Sequence, residues 1–320
     1  MSYFIAFYDN ALADKKAEYN TVIKWSRNLK QRFVKGLREY FDSDRITKFT
    51  YRPYCPYYIY YSDVFIDENG LMEKVFERGD NTVICFTNPG SQKPFMSLAS
   101  NQMPDLHLVG AGAGTQCLPL YRYGESGDRV ENITDWSLTQ FQKHYKDKKI
   151  SKKNIFPYVY AILHHPAYRS KYEINLKREF PRVPFYEDFW KWAEWGKKLM
   201  DLHLNYESIQ PYPLERVNIE RSTANITRLM ARKEKGEIEI DTQTTLRGVP
   251  AEAWEYRLGT YSALEWILER YKEKKPKDPT IVEKFNTYKF ADYKEQVIDL
   301  LNRVCTVSVE TMRIVKEMPK

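Results

Sequence analysis

The chain has 320 residues, with 50 Lys plus Arg against 43 Asp plus Glu and a formal net charge of +7, long enough for one large domain or two ordinary ones with real cores. Apolar residues at 42 %, charged residues at 29 % and a mean hydropathy of -0.64 exclude an intrinsically disordered chain. No run of about 18 apolar residues offers a membrane span, and the first residues, with Asp9 and Asp14, lack the basic and long apolar regions of a signal peptide, so a cytoplasmic chain is expected.

From Thr21 to Arg38, Val22, Trp25, Leu29, Phe33 and Leu37 recur at three- and four-residue steps, which predicts an amphipathic helix within a helical lead-in over residues 1–48. Its other face carries Lys24, Arg27, Lys30, Arg32, Lys35 and Arg38 and no acidic residue. Two readings stand for that face: a solvated exterior, or a surface for a phosphate backbone or an acidic neighbouring domain. Short apolar and aromatic runs follow, among them YYIYYSDVF, NTVICFT and CLPLYRY, and they predict a β-rich region over residues 49–150. Turns are expected at Asp67–Gly70, Gly79–Asn81 and Asn88–Ser91. The tyrosines between Tyr51 and Tyr61 read as a half-buried strand, although aromatic faces also stack on unpaired bases.

The segment Phe141–Lys153 holds six lysines against Asp147 alone and reads as a surface connection, with Lys148 and Lys149 available to phosphates. Residues 151–320 are expected to be mostly helical. One helix begins at Pro157 and breaks at His164-His165-Pro166, where helix capping is the simplest role for the histidines. The stripes Tyr168, Tyr172, Leu176, Phe180 and Phe185, Phe189, Trp192, Leu199, Met200 belong to helices facing the core. Near residues 215–248 the helical period is lost, and β-branched residues around Lys235-Gly236 predict a hairpin whose basic limb carries Arg221, Arg228, Arg232, Lys233 and Lys235. Helices resume at Leu264, Ile267, Leu268 and again at Val297, Leu300, Leu301, Val304. The expected class is α+β: a β-rich N-terminal half with a basic leading helix, then a mostly helical half with a β-hairpin excursion.

Motifs for chemistry are missing. Cys55, Cys85, Cys117 and Cys305 form no CxxC pair and read as reduced core thiols. Gly110–Thr115 (GAGAGT) has neither the GK[ST] ending of a P-loop nor GxGxxG spacing and reads as a flexible turn. Asn88-Pro89-Gly90-Ser91 lacks the second proline and the aromatic with which amino-methyltransferases hold a flipped base. Glu273-Lys274-Lys275 lies in a charge run, and no HExxH or GxSxG is present. No catalytic residue and no metal ligand is predicted.

Eight strings taken in order carry a resemblance across roughly residues 25–315: YRPYCPYYIYY (Tyr51–Tyr61), MPDLHL (Met103–Leu108), CLPLYRY (Cys117–Tyr123), FPYVYAILHHPAYRSKY (Phe156–Tyr172), FPRVPF (Phe180–Phe185), LHLNYE (Leu202–Glu207), WEYRLGTYSALEWILERY (Trp254–Tyr271) and VSVETMRIV (Val307–Val315). The set resembles the C-terminal specificity region, or target recognition domain, of Type ISP single-chain restriction-modification enzymes. The resemblance implies a domain that reads a short sequence in double-stranded DNA and positions the duplex for an N6-adenine methyltransferase. It also implies an ATP-dependent translocase and endonuclease elsewhere in the same system. S-adenosylmethionine, ATP and Mg are then expected only in the full-length enzyme and none in this chain, which lacks nuclease, helicase and methyltransferase motifs.

Sequence reading requires side chains that reach base edges from loops or hairpins, on a basic surface that fixes register on phosphate. The candidate base readers are Ser91, Gln92 and Lys93 after the apolar VICFT run, with Arg228, Arg232 and Lys233 on the basic limb. The candidate phosphate contacts are Lys24, Arg27, Lys30, Arg32, Lys35, Lys148, Lys149, Arg221 and Lys235. A nucleic-acid-processing enzyme with an unfamiliar site and a protein-interaction scaffold are the alternatives.

Overall fold

A computed structural model describes residues 5, 6, 8, 9, 25–67, 70, 72–76, 81–124, 126–220, 225–274 and 287–320. Lys24 and Arg221 lie outside these residues, as does the Gly79-Asp80 part of one expected turn. The chain divides into two compact units: residues 1–49, 57–73 and 273–288, and residues 50–56, 74–272 and 289–320.

In the smaller unit, helix α1 (Arg27–Val34) starts where the Ser26 hydroxyl accepts the Leu29 N–H at 3.2 Å. Its buried Leu29 packs with Tyr8 and Val64, ringed by Trp25, Phe33 and Phe65. The helix is shorter than the periodicity suggests. Gly36 takes φ +69°, and the Gly36 and Leu37 N–H groups bond back to the Phe33 and Arg32 carbonyls, a Schellman ending that puts Leu37 and Arg38 outside the helix. Beyond it, buried Glu39 accepts from Ser62 Oγ at 2.7 Å and Arg45 Nη1 at 2.9 Å.

Strands β1 (Ile46–Arg52) and β2 (Cys55–Tyr60) belong to a sheet with β5 (Met103–Pro104) in the order β2-β1-β5. Within the larger unit, β3 (Val83–Thr87) is buried at every residue and runs antiparallel to both β4 (Ser97–Ser100) and β6 (Thr115–Pro119). The unbroken VICFT run is therefore a central strand covered on both faces. Strands β7 (Tyr121–Tyr123) and β8 (Arg129–Glu131) make a small hairpin. Cys85 and Cys117 face each other across β3 and β6 with sulfurs 3.8 Å apart, and all four cysteines are free.

Helices occupy the next part: α2 (Met72–Phe76) precedes β3, and α3 (Asp135–Tyr145), α4 (Lys152–His164), α5 (Pro166–Lys171), α6 (Glu173–Arg178) and α7 (Phe189–Leu204) follow β8. Two boundaries differ from the sequence expectation. The start of the lysine-rich segment completes α3, capped by Thr134, and α4 begins at Lys152 ahead of Pro157, with Ser151 and Asn154 forming a capping box. Pro157 is the sixth residue of α4, inside the helix, where it leaves the Lys153 carbonyl without its i→i−4 donor. His165 closes α4 and opens α5, and the expected third helical stripe is split because Tyr172 separates α5 from α6, leaving Phe180 outside and exposed.

The core is built on α4 against α7, where Phe156, Tyr160, Leu163, Trp192, Leu199 and Met200 are buried together. At their crossing a Cβ on Gly196 would stand 1.8 Å from the Pro157 carbonyl oxygen, so only glycine fits. The region 215–248 forms a four-stranded sheet, β10-β11-β12-β9, from β9 (Glu215–Asn218), β10 (Thr227–Arg232), β11 (Glu237–Asp241) and β12 (Thr244–Arg247). Its β10–β11 pair is the expected hairpin, turned by Lys233–Lys235 and Gly236 at φ +64°. Helix α8 (Ala251–Glu255), the strand pair β13 (Arg257–Leu258) and β14 (Tyr261–Ser262), α9 (Ala263–Arg270) and the long α10 (Lys294–Glu317) complete the α+β architecture.

One polar network ties these layers. Tyr160 Oη accepts the Ala99 N–H at 2.7 Å and lies 2.6 Å from His203 Nδ1, while His203 Nε2 lies 2.9 Å from Thr311 Oγ1. Because Tyr160 already accepts, it donates to Nδ1, which leaves Nε2–H to donate to Thr311. Strand β4 and helices α4, α7 and α10 are thus joined through one neutral imidazole.

Candidate nucleic-acid interface

The Ser91–Lys93 segment sits in the turn after β3, and the turn is braced. The Asn88 N–H bonds to the Gly114 carbonyl at 2.8 Å, the Gln92 N–H to the Gly112 carbonyl at 3.2 Å, and Gln116 Nε2 to Asn88 Oδ1 at 2.9 Å. The glycine-rich segment is therefore a second loop laid beside the first, with Gly110 at φ +96° and Gly112 at φ +81°, values that exclude most other residues. Ser91 Oγ accepts the Lys93 N–H at 3.0 Å and shapes the turn. Gln92 is exposed and Lys93 half-buried, and neither has a side-chain bond to protein among the described residues.

The basic limb is differently placed. Arg228 Nη1 lies 3.1 Å from Glu239 Oε2 and Arg232 Nε 2.9 Å from Glu239 Oε1, so one carboxylate on β11 serves both guanidinium groups. The Arg232 contact, with Arg228 beside it, holds Glu239 below the usual carboxylate range. Lys233 Nζ pairs with Glu265 Oε1 at 2.8 Å and lies over the Trp254 ring at 5.8 Å. Arg247 pairs with Glu237, and Lys294 with buried Asp241 at 2.6 Å. The limb that reads as a net positive run is, in the fold, a ladder of cross-strand ion pairs. Exposed Lys235, at the hairpin turn, has no carboxylate partner among the described residues.

Of the phosphate candidates on α1 and at its C-cap, Arg27, Lys30 and Lys35 are exposed, whereas Arg32 is half-buried and donates to the Val64 carbonyl at 3.0 Å. Lys148 and Lys149 are exposed on the turn between α3 and α4. That turn is fixed by Asp147, which accepts from the Lys149 N–H at 2.8 Å and from Trp190 Nε1 at 2.9 Å, and by Gln142 Nε2 donating to the Ile150 carbonyl at 2.8 Å. The fold thus displays Lys148 and Lys149 on a rigid base, together with exposed Lys143 and Lys146, which the sequence reading did not single out.

The largest displacements of titration lie in the core, away from these surfaces. Burial, reinforced by the Arg169 charge, lowers His203 to about 3 and His164 well below the ordinary imidazole range. Burial lowers Arg169 itself to about 10. Among the described residues no group of three His, Cys, Asp or Glu could hold a metal ion, and no helix is long and apolar enough to cross a membrane. Among the described residues these surfaces present polar loops and exposed cations, suited to binding a polyanion.

The family of Type ISP C-terminal specificity domains matches residues 1–300. Three solved structures are similar over 99 % of this chain: a DrdV–DNA complex determined by cryo-EM, at 45 % identity and a TM-score of 0.92; the ATP-dependent Type ISP restriction-modification enzyme LlaBIII bound to DNA, at 27 % and 0.81; and a nuclease-deletion mutant of the Type ISP enzyme LlaGI in complex with a DNA substrate mimic, at 27 % and 0.77. The chain spans 33 %, 21 % and 30 % of those chains, respectively. No curated protein matches.

Proposed function

Because the chain belongs to the family of Type ISP C-terminal specificity domains, we propose that it is a target recognition domain that reads a short sequence in double-stranded DNA for a Type ISP restriction-modification enzyme. The observation that carries this reading is the likeness to the DrdV–DNA complex, which extends over 99 % of the chain at 45 % identity. In this reading the chain holds the duplex so that an adenine methyltransferase and an ATP-driven translocase-nuclease, located in other domains of the same cytoplasmic system, act at the chosen site. S-adenosylmethionine, ATP and magnesium bind in those domains, and this chain alone neither methylates nor cuts DNA.

The division of labour follows from geometry. Phosphates look alike along every duplex, so exposed Arg27, Lys30, Lys35, Lys148, Lys149 and Lys235 supply register and salt-dependent affinity without sequence preference. Base edges differ, and an amide such as that of Gln92 pairs bidentately with adenine while a cation such as Lys93 suits guanine. Arg228, Arg232 and Lys233 act as readers only by exchanging Glu239 or Glu265 for a base, so they contribute less than their charge implies.

A mobility shift tests the proposal by comparing a duplex selected from a random pool with its scrambled counterpart. A preference of about a thousandfold or more is expected for a specific reader. Equal binding to both duplexes, lost steeply with salt, reduces the chain to a nonspecific polycation.

A further inference from the structure

Three stretches of chain meet at the end of the β4-β3-β6 sheet, and only one of them was visible as a candidate in the sequence. The glycine loop lies in the middle. On one side it bonds to the Ser91–Lys93 turn through the Gln92 N–H and the Gly112 carbonyl at 3.2 Å. On the other side stands the Asp105–Leu108 segment: the Thr115 N–H bonds to the Leu106 carbonyl at 2.8 Å, the Leu108 N–H to Thr115 Oγ1 at 3.0 Å, and His107 Nδ1 lies 3.4 Å from the Ala113 carbonyl. Asp105 anchors this outer segment, accepting the His107 N–H at 2.8 Å and pairing with Arg52 at 3.0 Å.

The surface of this tip brings together side chains from two of the three segments. Gln92, Leu106, His107, Ala111 and Gly112 are exposed, and Leu106 keeps 51 % of its surface in contact with solvent. The middle of the tip has almost no side chain, because Ala111 and Gly112 are small and Gly112 is held at φ +81°. The Gln92 amide lies over the glycine, its Oε1 3.5 Å from where a Cβ on Gly112 would stand, with the imidazole and the leucine on the far side of the loop.

We propose that this three-segment tip is a base-reading site of the chain, in which His107 and Leu106 join Gln92 at base edges in the major groove. The inference rests on the DNA-reading function proposed above and adds residues to it. The Ala113 carbonyl can only accept, so Nδ1 carries a proton, and in the neutral form of the ring Nε2 is the acceptor. A neutral imidazole so fixed accepts from the exocyclic amine of cytosine or adenine and repels the carbonyl oxygens of guanine and thymine. Leu106 is suited to the methyl group of thymine, and the Gln92 amide to adenine. Gly112, with no Cβ, leaves room for the Gln92 amide to lie against the loop.

The test is selection from a random duplex pool with the intact chain and with His107→Ala, Leu106→Ala and Gln92→Ala, circular dichroism confirming that each variant folds. The wild-type chain is expected to return one motif, and each variant the same motif with one base position relaxed and cognate affinity reduced about tenfold. Lys148→Ala serves as the contrast, weakening binding without relaxing any position. If the wild-type chain returns a motif and all three tip variants return it unchanged with cognate affinity within about twofold, the tip is not a reader and the DNA-reading function stands. If the wild-type chain returns no motif at any salt concentration, that function fails and the tip assignment with it.

Discussion

Replacing Gly196 with alanine should destabilise the larger unit, although the same change at an exposed helix position would stabilise it. Alanine is favoured over glycine in a helix interior by about 1 kcal/mol. At Gly196, however, the added Cβ would lie 1.8 Å from the Pro157 carbonyl oxygen and 2.5 Å from its carbon. Ordinary contact requires about 1.5 Å more, and the obstacle is backbone inside a helix, which cannot turn away as a side chain would. Helices α4 and α7 must then part along the face that buries Phe156, Tyr160, Trp192 and Leu199. Overpacking of this kind costs typically about 1 to 3 kcal/mol, and a clash with backbone places it at the upper end, so the net loss is about 2 kcal/mol. For a unit of this size that lowers Tm by roughly 4 to 8 °C. Thermal unfolding followed by circular dichroism or calorimetry measures the change. A Tm equal to or above that of the parent would show that α4 and α7 do not cross at Gly196 and would refute the packing described.

Other outcomes follow from the ion pairs, the turns and the buried histidines. Lys148→Ala and Lys149→Ala should each lower the slope of log K against log salt by about 0.9 if that lysine contacts one phosphate, with the same loss on cognate and random duplexes in a salt titration. Glu239→Gln removes the carboxylate shared by Arg228 and Arg232, so affinity for random duplexes should rise; unchanged affinity would place this sheet away from the DNA. His203 has a folded pKa below its unfolded value, so its contribution to stability is complete above about pH 6.5 and is lost as pH falls toward 3. Denaturant unfolding at pH 5 should show about 2 kcal/mol less stability than at pH 8 from this group alone, and His203→Gln should flatten the profile.

The class of fold was legible because local patterns were strong: VICFT is buried throughout in β3, and the Phe189, Trp192, Leu199, Met200 stripe faces the core of α7. Helix boundaries were less legible. A proline usually opens a helix, and nothing before Pro157 announces the preceding turn except Ser151, whose capping partner Asn154 is a weaker signal than Glu or Gln. The leading helix was overextended because Leu37 keeps the apolar period while Gly36 ends the helix through its positive φ. The basic limb shows the main limit of reading charge along a chain. Reading Arg228, Arg232 and Lys233 as part of a basic limb ignores Glu239 and Glu265, which strand pairing and tertiary packing bring to those cations. His107 belongs to no HExxH or other metal-binding motif in the sequence, and only the bonds to the glycine loop set it beside Gln92.

Sequencing of the duplexes retained by the purified 320-residue chain from a fully random pool, at about physiological salt, decides whether this chain reads DNA sequence. A domain that reads sequence returns a single short motif whose scrambled form binds about a thousandfold or more weakly. Retained duplexes with the base composition of the starting pool, bound as tightly as any selected clone, would contradict it.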